Sequence, residues 1–133
     1  MKKILVGFDG GEPGERALRL ASELAHAFDA RVDVVSVVPE GFGRMGTATG
    51  TPAIAHARSL LAAMDVLRTH GIEAGLIEPA GDPATVIERL VDERGYDTVI
   101  VGSSRLVTAG VPWTDTVSAH VAGNAAATVI VAH

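Results

Sequence analysis

The chain has no cysteine among its 133 residues. That excludes a disulfide framework, a thiolate zinc site, an iron–sulfur cluster and a cysteine nucleophile. Positive charge is also in short supply: eleven Lys and Arg stand against sixteen Asp and Glu, a formal net charge of −5. A net acidic surface argues against nucleic-acid binding through phosphate neutralisation, although one positive pocket can still take a small anion. No stretch approaches the ~20 apolar residues of a membrane-spanning helix. The opening run Ile4 to Phe8 ends at Asp9, too short for the apolar region of an export signal, so a cytoplasmic location away from membranes is expected. There is no internal repeat, linker or low-complexity tail. At this length, one domain over residues 1–133 is expected. With 47% hydrophobic and 20% charged residues, the composition excludes intrinsic disorder.

What is present is an alternation of two periodicities. Ile4 to Phe8, Arg31 to Val38, Ile72 to Glu78, Thr98 to Val101 and Thr128 to Ala132 are short apolar or β-branched runs that read as strands. The third is the least apolar and is expected nearer an edge. Between them, Ala17, Leu20, Ala21, Leu24 and Phe28 recur at helical spacing. A second helix starts at Ala53, carries Ile54, Ala57, Leu61 and Met64, and stops at a left-handed Gly71. Gly81-Asp82-Pro83 is the sharpest helix start, because Asp82 can cap and Pro83 fits a first-turn position that needs no amide hydrogen. Its buried stripe is Val86, Ile87, Leu90 and Val91, ended by Gly95. Glu40 to Pro52 and Ser103 to Thr114 read as loops, and Asp115 to Gly123 as a short helix. The order βαβαβαβαβ implies an α/β, doubly wound open sheet of five parallel strands with helices on both faces.

In such a sheet, ligands bind beyond the carboxyl ends of the strands where the strand order reverses. The turns at those ends hold Asp9-Gly10-Gly11, Val38-Pro39 and Gly102-Ser103-Ser104, and glycine there allows close approach to backbone. Amides of the helix after Asp115 would offer an anion site. Asp9 either caps its own turn or accepts from an adenine amino group or a ribose hydroxyl. Gly41-Phe42-Gly43-Arg44-Met45-Gly46 matches a dinucleotide pattern but opens no helix directly, so it reads as loop. There is no phosphate-binding G-x-x-x-x-G-K-[ST] loop. His26, His56, His70, His120 and His133 lack paired metal spacing and read as surface or terminal residues. Ser103 and Ser104 lack the flanking glycines of a nucleophile elbow and read as surface.

Taken together, Ile4-Leu5-Val6-Gly7-Phe8-Asp9-Gly10 with Ala17-Leu18, Gly81-Asp82-Pro83-Ala84-Thr85-Val86-Ile87, Tyr96 to Ser103 and Val117 to Val131 resemble universal stress protein domains along the whole chain. The resemblance implies a Rossmann-like fold of the adenine nucleotide alpha hydrolase-like kind, with strand order 3-2-1-4-5. It also implies a homodimer paired through the C-terminal strand, Thr128 to Ala132. One branch of the family binds ATP through a glycine, two residues, a glycine, nine residues and then Gly-Ser or Gly-Thr. Here the positions read Gly102, Arg105, Asp115 and Thr116, so two of three glycines are replaced. An arginine could still reach an anion, or close on Asp115. The aspartate would place its carboxylate on the amides that a phosphate needs. Like charges ~4 Å apart repel by about 1 kcal/mol in water and ~4 kcal/mol at an effective dielectric of 20.

The candidate ligand-contacting set is therefore Gly7, Phe8, Asp9, Val37, Gly102, Ser103, Arg105, Asp115, Thr116 and Val117, with no catalytic or metal-binding residue. Asp9 and Val37 match the family's adenine-contacting places; Trp113 either covers the pocket or packs on the sheet end, and packing is the favoured reading. The expectation is a non-catalytic stress-response domain that acts through dimerisation and protein partners, with weak or absent ATP binding. An adenine-nucleotide module taking AMP or ATP is the alternative. Slow ATP hydrolysis is the weakest reading, because no carboxylate pair, metal ligand or lysine sits where phosphoryl transfer needs it.

Overall fold

The computed structural model describes residues 1–8, 11–37, 51–102, 107, 108, 111, 112, 121, 123 and 126–132, with no side chains described at 51–56, 107, 108, 111 and 112. The elements are β1 (Lys3–Gly7), α1 (Glu12–Phe28), β2 (Arg31–Val35), α2 (Thr51–Thr69), β3 (Ala74–Ile77), α3 (Pro83–Arg94), β4 (Thr98–Gly102), β5 (Val107–Thr108), β6 (Val111–Pro112) and β7 (Thr128–Ala132). The five long strands form one parallel sheet in the order β3-β2-β1-β4-β7. This is the expected 3-2-1-4-5 arrangement, with the weakly apolar β3 outermost.

Continuous apolar runs give strands buried on both faces. Ile4, Leu5, Val6, Val99 and Ile100 are fully buried. Side chains alternate between two cores. Ile4, Val6, Val32, Val34 and Ile100 face α1 and α2. Leu5, Val35, Val99 and Val101 face α3 and Val121. The sheet is therefore covered on both sides, as the alternation demands.

The helix signals resolve in different ways. Asp82 caps α3: its carboxylate accepts from the Thr85 amide at 3.1 Å and the Thr85 hydroxyl at 2.9 Å. Gly71 (φ 76°) holds the left-handed position expected of it, and Gly95, expected to end α3, does so in a left-handed conformation (φ 70°). α2 starts at Thr51, two residues before the expected Ala53, with Pro52 in its first turn, where a missing amide hydrogen is harmless. The α1 stripe differs more. Its buried residues are Gly14, Ala17, Leu18, Ala21, Ser22 and Ala25, while Phe28 is 56% exposed. The small side chains bring α1 close to the sheet, whereas Phe28 lies on the last turn, just before the left-handed Asp29 (φ 53°) ends the helix. The His26 ring donates to the His70 carbonyl, pinning the ends of α1 and α2 together.

The expected loop Ser103 to Thr114 contains a two-stranded antiparallel ribbon, β5 with β6. Of the expected helix Asp115 to Gly123, Val121 and Gly123 are described, and both are helical. The Gly-rich stretch Glu40 to Gly50 and Trp113 lie outside the described residues.

Candidate functional site

β1 is central, with β2 on one side and β4 on the other. The chain leaves β1 toward β2 and later returns to β4, so the order reverses between β1 and β4, the crevice where ligands of such sheets bind. Four candidate residues meet at this carboxyl end. Gly7 pairs with Val35 and Val101 across the two ladders. Phe8 follows it, and its amide donates to the Val35 carbonyl at 2.9 Å. Val37 leaves β2 and packs on the α3-side core. Gly102 ends β4. Asp9, Ser103, Arg105, Asp115, Thr116 and Val117 lie outside the described residues.

The two described glycines are held by packing. A Cβ on Gly7 would lie 3.1 Å from Val101 Cγ1 and 3.6 Å from Ile87 Cδ1. A Cβ on Gly102 would lie 2.1 Å from the Pro13 carbonyl oxygen and 2.7 Å from Pro13 Cβ. Gly102 has no positive φ, so its requirement is space, and the first turn of α1 takes that space. The sequence offered no sign of this contact, because Pro13 reads locally as a helix-start residue and lies 89 positions away (102 − 13). Phe8 is 6% exposed and belongs to the core beneath α1 and α2. Together with Leu18, Ala63 and Val66 it lines a small cleft of ≈ 110 Å³ between these helices, with Glu15 and Ser59 also on its walls.

Among the described residues, strongly displaced titration lies at the other end of the sheet. Tyr96 is buried, and its hydroxyl donates to Asp33 at 2.5 Å. Burial first, then the bond to Asp33 and that residue's charge, hold its phenol protonated well above the usual tyrosine range, against a smaller opposing pull from Arg94. The Lys3 ammonium sits 4.6 Å from the ring centroid and donates to the Arg94 carbonyl at the end of α3. Asp97 accepts from the Lys2 amide at 2.7 Å, the Lys3 amide at 3.0 Å and the Thr98 hydroxyl at 2.7 Å. Its burial acts to raise its pKa, but these bonds and the chain's amino terminus outweigh that and lower it. Displaced pKa values often mark sites, yet here every partner is internal, and the network ties β1, β2, β4 and α3 together. Among the described residues, no group of three or more His, Cys, Asp or Glu could hold a metal ion, and no helix is long and apolar enough to cross a membrane.

A five-stranded doubly wound sheet whose strand order reverses beside its central strand defines the class: an open α/β fold with a ligand crevice at the carboxyl end. The model of the universal stress protein family matches residues 1–133, and the chain belongs to that family. No curated protein matches it. Solved structures share the fold. A universal stress protein in complex with cAMP is 22% identical, with a TM-score of 0.75 over 99% of this chain and 96% of its own. The universal stress protein from Archaeoglobus fulgidus in complex with dAMP is 23% identical, with a TM-score of 0.76 over 100% and 98%. A universal stress family protein from Arabidopsis thaliana with AMP bound is 21% identical, with a TM-score of 0.71 over 98% and 90%.

Proposed function

We propose that this chain is a single-domain, non-catalytic universal stress protein of the cytoplasm, acting through dimerisation and protein partners, with weak or absent ATP binding. The observation that carries the ATP reading is the acid at Asp115, where the nucleotide-binding pattern has a glycine. The glycine that remains, Gly102, is consistent with this, because the Pro13 backbone already occupies the space beside it. Dimerisation through β7 draws support from its place at one edge of the sheet and from Val129, Ile130 and Val131, which are half-buried within one chain. A Val129→Lys variant should then be monomeric by light scattering.

A second reading is favoured by three structural neighbours that hold cAMP, dAMP or AMP. A ligand with one phosphate meets less repulsion from Asp115 than a triphosphate does, so AMP would be kept while ATP is lost. Calorimetric titration separates the two readings. The first expects little heat from either nucleotide, and the second expects AMP to bind more tightly than ATP. Replacing Arg105 and Asp115 together by glycine should raise ATP affinity by about fivefold or more, given a repulsion of about 1–4 kcal/mol. Tight ATP binding by the unaltered chain would overturn both.

A further inference from the structure

α2 turns an apolar side chain to solvent where α1 turns charge. The outer face of α1 carries Glu12, Glu15, Arg19 and Glu23, all exposed. That of α2 is built round Leu61, at 68% the most exposed large apolar side chain among the described residues. Leu60, Ala63 and Leu67 form the buried stripe of α2. At about 100° per residue, Arg58, Leu61 and Asp65 all lie more than about 120° round the helix from the centre of that stripe. Arg58 and Asp65 are exposed. They lie about 60° and about 40° from Leu61, to the same side of it. Asp65 also meets Arg68 at 3.5 Å, both side chains being more than 70% exposed, and a carboxylate has lone pairs for a second cation.

This pattern is complementary to itself. Arg58 and Asp65 are seven positions apart (65 − 58), with their midpoint between Leu61 and Ala62. Two copies of α2 set antiparallel about a two-fold axis at that level keep each flank on its own side. Arg58 of one copy then stands level with Asp65 of the other, twice, about 5 Å to either side of the axis. The two Leu61 side chains meet at the centre, and Ala57, exposed on the other flank, is small enough to let the helices close. A parallel pair would instead set Arg58 against Arg58 and Asp65 against Asp65. We infer that the outer face of α2 is a contact between copies of this chain, an antiparallel helix pair with Leu61 at its centre and reciprocal Arg58–Asp65 pairs on one flank. One helix face is narrow, so the contact is weak and reversible. α2 packs on α1 and β3, and β7 forms the opposite edge of the sheet. The contact is therefore separate from the proposed pairing through β7 and does not depend on it.

The test is sedimentation equilibrium of the full chain up to about 1 mM, with and without Val129→Lys, and weak self-association should persist in both. Arg58→Asp and Asp65→Arg should each weaken it by about tenfold, because every substitution acts at both symmetric pairs. The double variant Arg58→Asp, Asp65→Arg should restore it to within about twofold, and an equimolar mixture of the two single variants should form the mixed pair. The chain has no cysteine, so Leu61→Cys carries one thiol. Mild oxidation should join two such copies at least about tenfold faster than copies carrying Arg89→Cys on the exposed face of α3. No self-association of the Val129→Lys chain at about 1 mM, a double variant no stronger than the single ones, or equal cross-linking from positions 61 and 89 would each overturn the proposal. Failure of the β7 pairing leaves all three readouts unchanged, so the two readings fail separately.

Discussion

The two ends of this sheet are made by the same strands and use glycine for different purposes. At the amino end, Gly75 makes room for a carboxylate: a Cβ there would lie 2.4 Å from Asp33 Oδ1. That room lets Asp33 accept from Tyr96, which Lys3 covers. At the carboxyl end, Gly102 makes room for the Pro13 backbone. One glycine permits a polar network to close and the other permits a helix to sit down. The lesson concerns how such positions are read. A glycine at a strand end invites a ligand-based explanation, but the chain's own packing can supply the whole reason. Among the described residues, strongly displaced titration in turn marks the amino end.

The largest expected effect tests the carboxyl end. Gly102→Ala places a methyl group against backbone, which cannot rotate away, so α1 must shift. Overpacking of this kind costs about 3 kcal/mol, and the urea midpoint should fall accordingly. Gly7→Ala, whose nearest contact is a side-chain methyl at 3.1 Å, should cost about 1 kcal/mol. Equal losses for the two would show that Pro13 does not rest on Gly102.

At the amino end, Tyr96→Phe removes the donor to a partly buried carboxylate and should cost about 1–3 kcal/mol near neutral pH. Gly75→Ala should cost a similar amount by displacing Asp33. The two losses should sum to more than the double variant shows, since both break one bond. The alkaline limb gives the sign of the titration. Tyr96 has its pKa raised on folding, so its contribution is fully present below the unfolded value of about 10 and is lost as pH rises through the folded value. Tyr96 is the chain's one tyrosine, so tyrosinate absorbance reports it alone. Ionisation at an ordinary pH in the folded protein would refute the network.

What was legible in the sequence follows from range. Gly81-Asp82-Pro83, Gly71 and Gly95 act on their own few residues, and each bounds its helix as read. Strand order followed from alternation together with the family resemblance, and the weakly apolar Ile72 to Glu78 run correctly pointed to an edge. Contacts distant in sequence were not legible. Nothing near Asp33 announces Tyr96, 63 residues on, and nothing near Gly102 announces Pro13. Phe28 kept the spacing of a buried stripe while standing on the exposed last turn. At the candidate site, Gly7, Phe8, Val37 and Gly102 come together from three separate stretches because the topology gathers strand ends. The charge argument at Arg105 and Asp115 rests on sequence, since those residues lie outside the described ones.

The smallest expected effect separates a polar network from a mere surface acid. Asp97 has an exposed side chain, yet it accepts from two amides and a hydroxyl, and its pKa is lowered on folding. A depressed carboxylate contributes stability that is present above its unfolded pKa, about 3.9, and is lost as pH falls through the folded value. Asp97→Asn keeps one acceptor oxygen but cannot titrate. Its unfolding free energy should therefore lie below that of the parent near neutral pH and decline less steeply below about pH 4. Because the group faces solvent, the difference should shrink in high salt. Acid limbs that run parallel for the two proteins would mean that Asp97 titrates alike folded and unfolded. The amino end would then be held by Tyr96 and Asp33 without help from the start of β1.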